Sequence, residues 1–223
     1  MRCEYDPVRA DTHSFLPMIR EEIRSLLDRL DSVASNTSLT IEYDLERAID
    51  IMESLRDKGY PTAELVERYG SSPSEYILVS LAFVVARHAG EGVGSAETSP
   101  AFLLAEKLAG VDQPTALTGC LSALHRGMIL GERASAVLPP PASELVVRAL
   151  EYSGDQDWIV YTAGLNLVQG LCSRDTLRSS FSEGQIESLK RSIARIRDLK
   201  TVNLREDADA VLECLRGDMT RFK

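Results

Sequence analysis

Cysteine is sparse: Cys3, Cys120, Cys172 and Cys214 stand far apart, with no C-x-x-C pair. Local spacing therefore offers neither a zinc ribbon nor a thioredoxin-type redox motif. Three of the four fall within amphipathic helical patterns, where buried thiols are expected rather than a disulfide framework. A single tryptophan leaves few platforms on which bases could stack. His13, His88 and His125 form no H-E-x-x-H, and Cys120 and His125 are five apart, so no helix face presents a metal-binding pair. No metal or other cofactor is expected. The run from Tyr76 to Ala86, broken only by Ser80, is eleven residues long. That is well short of the roughly 20 needed to span a bilayer. The opening MRCEYDPVRADTH has no apolar h-region, and the C-terminus carries no lipidation box. A cytoplasmic protein without membrane attachment is the expectation.

Positive charge is also in deficit. The net charge is −9, distributed as −6 over residues 1–72, −5 over 73–172 and +2 over 173–223. An acidic body disfavours binding to a phosphate backbone over most of the surface. It suits solubility or a basic protein partner. The 223 residues, 44% apolar and 26% charged, suffice for one sizeable core or for stacked units sharing one.

Apolar residues recur at helical spacing almost throughout. Leu16, Ile19, Ile23, Leu26, Leu27 and Leu30 predict a helix from near Ser14 to Asp31, and the Ser/Asn/Thr-rich stretch 32–40 reads as a linker. Helices follow at about 42–58 and 62–69. The helix at 72–90 has Ser72 as N-cap, Pro73 at the first position and Glu75 completing a capping box. It is apolar on nearly every side, so neighbours should enclose it. Further helices are expected at 100–110, 113–131, 141–154, 158–172, 174–181, 183–199 and 204–222. Asp155 is a candidate cap, and Gly90 a left-handed stop. No stretch alternates with period two. The fold class is all-α, with about ten helices and no sheet.

The helix starts repeat. One series opens at Ser72, Gln113 and Asp155, and an alternating one at Pro100, Pro141 and Glu183, both with spacings of 41 and 42. Lys107, Arg148 and Lys190 hold one register in the second series. From 72 to about 200 the chain resembles the HEAT and armadillo helical repeats, whose hairpins recur every 40–47 residues. The resemblance implies a right-handed α-solenoid of stacked antiparallel helix pairs, with 1–70 as an N-terminal helical cap to residues 71–223. The 91–98 loop and the irregular 1–70 segment depart from that pattern.

Reaction chemistry has little support. Gly90-Glu91-Gly92-Val93-Gly94 follows a helix rather than a strand and lacks the endings of a phosphate-binding loop. No G-x-S-x-G is present, and Glu21/Glu22 and Asp155/Asp157 belong to helix starts or solvated faces. Trp158 at a helix start reads as packing. The expected function is a non-enzymatic protein-binding module: an adaptor, a scaffold, or an inhibitor or immunity-type binder. The candidate partner-binding residues are Lys107, Glu144, Arg148, Lys190, Arg191 and Arg195, with Arg197 and Lys200 extending a basic strip. A protein or peptide partner, basic by complementarity, is anticipated. A second reading is a structural subunit of a larger complex. A third follows from HEAT-like DNA glycosylases, which the resemblance implies would use a strongly basic concave surface with aromatic residues and a carboxylate. This acidic chain does not match those residues.

Overall fold

Spacings of three and four between apolar residues become eleven α-helices in the computed structural model, which describes residues 12–35, 41–89, 99–130, 137–152, 157–173, 176–199 and 204–216. They are α1 (Thr12–Ser35), α2 (Ile41–Asp57), α3 (Thr62–Tyr69), α4 (Glu75–Arg87), α5 (Pro100–Lys107) and α6 (Pro114–His125). After a π-helical turn, Arg126–Leu130, come α7 (Pro140–Glu151), α8 (Asp157–Ser173), α9 (Leu177–Ser180), α10 (Glu183–Arg197) and α11 (Arg205–Arg216). No strand occurs among the described residues.

The helices pack in two layers. In the first, α4 lies between α2 and α6, α6 between α4 and α8, and α8 between α6 and α11. In the second, α3, α5, α7 and α10 stack in that order, each on the next. The turns linking the layers bring α3 and α5 against α4, α7 against α6 and α8, and α10 against α11, while α1 lies on α2. The core runs between the layers as one continuous cluster that includes Leu78, Leu81, Leu104, Leu121, Leu145, Val168 and Leu189. Each such side chain contributes about 1.5–3 kcal/mol on burial. Ser80, the polar break in the apolar run, is fully buried and donates to the Leu45 carbonyl of α2 at 3.2 Å. Burial there is tolerated because the hydroxyl is bonded.

Several local expectations are corrected. The N-cap of α4 is Ser74, not Ser72, and no capping box forms. The Ser72 hydroxyl instead accepts from the Ser74 amide at 3.2 Å, closing a turn before the helix begins. A capping box does form at α10, where Ser182 Oγ accepts from the Gln185 amide and Gln185 Oε1 accepts from the Ser182 amide. The serine cap and a glutamine three residues on carry it. Helix α1 continues past Asp31 to Ser35 because Val33 still buries itself in the core. Gly90 and Asp155 lie outside the described residues.

The described glycine stops do not share one cause. Among the described glycines only Gly59 has a positive φ, at 82°. Gly70 is right-handed, and a Cβ there would meet the Val66 carbonyl oxygen at 2.5 Å and Lys107 Cγ at 2.8 Å, so its own helix and the approach of α5 both exclude a side chain. A Cβ on Gly119 would meet the Ala82 Cβ at 2.6 Å, which is how α6 seats tightly on α4.

Cys172 and Cys214 form a disulfide between α8 and α11, with Cα atoms 6.2 Å apart. This overturns the expectation of buried free thiols. Two helices, α9 and α10, intervene in sequence, so only the stacking of α11 beside α8 makes the two cysteines neighbours. Cys120 is the buried thiol expected, and burial pushes it up to about 12 against the opposing charge of Arg148. It is inert at neutral pH. Cys3 lies outside the described residues.

The N-terminal helix is tied on through Asp31, which accepts from Arg68 at 2.5 Å and from the Tyr69 hydroxyl at 2.7 Å. Partial burial alone would raise the Asp31 carboxyl. The hydrogen bonds from Arg68 and Tyr69, with the Arg68 charge, outweigh it and hold the group below its ordinary range. Burial, then the Asp31 hydrogen bond and charge, moves the Tyr69 phenol upward.

Candidate functional site

The six candidate residues all belong to the second layer, but no described hollow gathers two of them. Most of their charge is used within the chain. Lys107, the last residue of α5, reaches back to Glu67 of α3 at 2.6 Å. Arg148 of α7 donates to the carbonyls of Leu108, at 2.6 Å, and Ala109, just past the end of α5. Arg195 of α10 donates to the carbonyls of Leu150 and Tyr152 at 3.0 and 3.1 Å, at the end of α7, with its guanidinium 5.9 Å from the Tyr161 ring centroid. The ladder is real as a contact pattern: each cation meets the C-terminal end of the preceding helix in its layer. The last carbonyls of a helix lack intrahelical partners, and its dipole favours a cation there.

The register is not the one expected from spacing. Arg195 takes the third place, and Lys190 instead pairs with Glu187 of its own helix at 2.7 Å. Spacing of 41 and 42 pointed to Lys190, but distance from the helix end decides which cation reaches the neighbour. Arg191 is exposed and donates to the Ser188 hydroxyl at 3.1 Å. Arg197 pairs with Asp198, and Lys200 lies outside the described residues. Glu144 is exposed in a separate hollow with Pro139, Ser143 and Phe181.

The prediction for the ladder concerns stability. Replacing Arg148 with Met keeps much of the stem but leaves two carbonyls without their charged donor. Urea unfolding should show a loss of about 1.5–3 kcal/mol, the range for hydrogen bonds to charged groups. An unchanged midpoint would show that the contact holds nothing.

The free surface of the first layer is different in kind. Residues 76–86, 115–124 and 158–173, most of α4, α6 and α8, contain no formal charge. Neighbours do not enclose α4 as its composition suggested: Phe83 is 50% exposed, and Tyr76 and Val79 are half-buried. Trp158, read from sequence as packing, is 52% exposed at the start of α8. Thr162 and Asn166 continue its open side at steps of four, with Thr162 half-buried and Asn166 exposed. Thr115, Thr118 and Ser122 mark the open side of α6 at steps of three and four. Because α4, α6 and α8 meet the second layer on one side and each other laterally, their open sides form one face, uncharged apart from Arg87 and Arg126 at one end.

Charged helices border this face. Of the α2 charges, Glu53 meets Arg87 beside this face, whereas Glu46, Arg47 and Asp50 line a hollow with Leu26 and Arg29 of α1; α11, packed on α8, carries Glu206, Asp207, Asp209 and Glu213. Between α4 and α6 the face dips into an open groove of about 520 Å³, lined by Val79, Phe83, Arg87, Thr118, Ser122 and Arg126. Beside it, Glu53 accepts from Arg56 at 3.2 Å and from Arg87 at 3.4 Å, and lies 2.8 Å from His88 Nε2. Among the described residues, no group of three His, Cys, Asp or Glu is placed to hold a metal ion. No described helix is long and apolar enough to cross a membrane.

Sequence reasoning singled out charge and so missed Phe83, Trp158 and the hydroxyl row. A signal was present. Three helices of the same series lack charge over most of their length, and a two-layer stack must leave one side of each in water. No family model, no curated protein and no solved structure matches the chain.

Proposed function

We propose that the chain is a non-enzymatic protein-interaction module, and that the α4–α6–α8 face receives a protein or peptide partner. The carrying observation is the exposure of Phe83 and Trp158 on a largely uncharged face within a charged protein. Charge depletion at the centre, exposed aromatic anchors and a charged rim are the anatomy of protein interfaces. Uncharged hydroxyl and amide groups at the centre limit the cost of desolvation on docking.

The architecture belongs to the same reading. Same-layer helices begin at Glu75, Pro114 and Asp157, and at Pro100, Pro140 and Glu183, so each helix pair takes about forty residues. We read this stack as a short HEAT-type α-solenoid, a form in which adjacent units present one extended surface. The candidate face lies on the first layer, away from Lys107, Arg148 and Lys190.

The test compares the wild type with a Phe83→Ser/Trp158→Ser variant in capture from lysate at two salt concentrations. Both side chains are half exposed, so melting should shift by no more than about 0.5 kcal/mol in stability per site. A protein retained by the wild type and lost from the variant supports the reading. Equal retention by both, or retention by neither, sinks it.

A further inference from the structure

Among the described residues, the positive charge on the otherwise uncharged α4–α6–α8 face is gathered at one place. Arg87 and Arg126 both line the α4–α6 groove, together with Phe83 and Val79. The two helices run parallel and in register: a Cβ on Gly119 would contact Ala82, and one on Gly127 would lie 3.7 Å from the Ala89 Cβ. Residues 37 or 38 apart are thus neighbours, so Arg126 lies level with His88 and Ala89, next in sequence to Arg87, and both arginines line the same end of the groove. Arg87 is 59% exposed, with one nitrogen 3.4 Å from Glu53. Glu53 is shared with Arg56 and His88, and among the described residues no carboxylate pairs with Arg126.

Among the described residues, Arg87 and Arg126 are the charged side chains that line the groove, and the Glu53 carboxylate that meets Arg87 is itself shared with Arg56 and His88. The π-helical turn begins at Arg126, and such turns recur at functional sites. The other end of the groove is apolar, and Thr118 and Ser122 along its side can bond to a peptide backbone.

We infer that the α4–α6 groove recognises a peptide segment carrying a carboxylate next to an apolar side chain, the carboxylate seated between Arg87 and Arg126 and the apolar group on Phe83. This rests on the protein-interaction reading and names the chemistry of its partner. Paired guanidiniums match carboxylate geometry, and the apolar wall beside them strengthens the contact. The net charge of −9 repels a strongly acidic partner at long range. The segment is therefore a short acidic-apolar stretch on an otherwise neutral or basic chain. A nucleic-acid backbone fits poorly, since two arginines, one of them facing Glu53, make no continuous basic track.

The test pans displayed short random peptides on the full chain, then measures one enriched peptide against variants. Enriched sequences should place Asp or Glu beside an aromatic residue or Leu. Affinity should fall about tenfold in Arg87→Gln/Arg126→Gln and similarly in Phe83→Ser, with melting unchanged. Phe83-dependent peptides without an acidic preference, or indifferent to the arginine pair, would overturn the inference and leave the interaction reading standing. No enrichment dependent on Phe83 or Trp158 would overturn both. Binding of a thymidine oligonucleotide as tightly as the enriched peptide would also overturn the inference, in favour of phosphate recognition.

Discussion

Leu81→Asp is expected to abolish the folded state. Leu81 is fully buried near the middle of α4, which packs against α2, α3, α5 and α6. Removing a buried leucine costs about 2–5 kcal/mol through lost transfer energy and cavity formation. Aspartate adds the burial of a polar group with no partner, several kcal/mol more, or else forces the carboxyl to stay protonated. The total approaches or exceeds the whole stability of an ordinary domain, about 5–15 kcal/mol. Circular dichroism should show no cooperative thermal transition for Leu81→Asp. Leu81→Met should stay within about 1.5 kcal/mol of wild type, because it conserves volume. A folded Leu81→Asp with unchanged melting would mean that α4 is not the packed centre of the stack.

Reduction of Cys172–Cys214 is expected to have the next largest effect. The two cysteines are 42 residues apart in sequence. Closing a loop of that size stabilises by about 4 kcal/mol in the chain-entropy account, chiefly by restricting the unfolded chain. For a chain of this length the corresponding fall in Tm is roughly 10 °C. Melts with and without reductant, compared with a Cys172→Ala/Cys214→Ala variant, provide the check. The reductant should lower the wild type to the level of the variant and leave the variant unmoved. Coincident wild-type melts would show that the link contributes nothing. The disulfide also bears on where the protein works. Such bonds persist in oxidising compartments and are rare where glutathione keeps thiols reduced. The link and the cytoplasmic expectation from sequence therefore pull in opposite directions.

The helices were legible because their signal is local. Proline and serine at starts such as Ser99-Pro100, and apolar residues three and four apart, act within one element. The bounds of α3, 62–69, follow directly from the sequence because Pro61 and Gly70 flank it. The true start of α4 did not. Two serines competed for the cap, and the outcome turned on which hydroxyl closed the preceding turn.

The candidate site was less legible. Charged residues stand out in a sequence, yet Arg148 and Arg195 donate to backbone carbonyls of the neighbouring helix, and Lys107 pairs with Glu67. Phe83 lies within a run that looks like core throughout. Periodicity cannot say which side of an almost wholly apolar helix stays open, because every side looks alike. That choice is made by the number of neighbours the helix acquires.

The sequence alone thus determined an all-α chain of about ten helices, their approximate limits, and a period near 41 that orders them. These follow from side-chain spacing, capping residues and the lack of any alternating stretch. Only the tertiary structure decided that α8 and α11 stand side by side and join Cys172 to Cys214. It alone decided that the basic ladder is spent on the ends of neighbouring helices, and that one side of α4, α6 and α8 stays in water with Phe83 and Trp158 upon it. The physical reason is the same in each case. Contacts between residues some forty positions apart depend on how layers stack, and no local pattern encodes which face of a stacked helix is left without a neighbour.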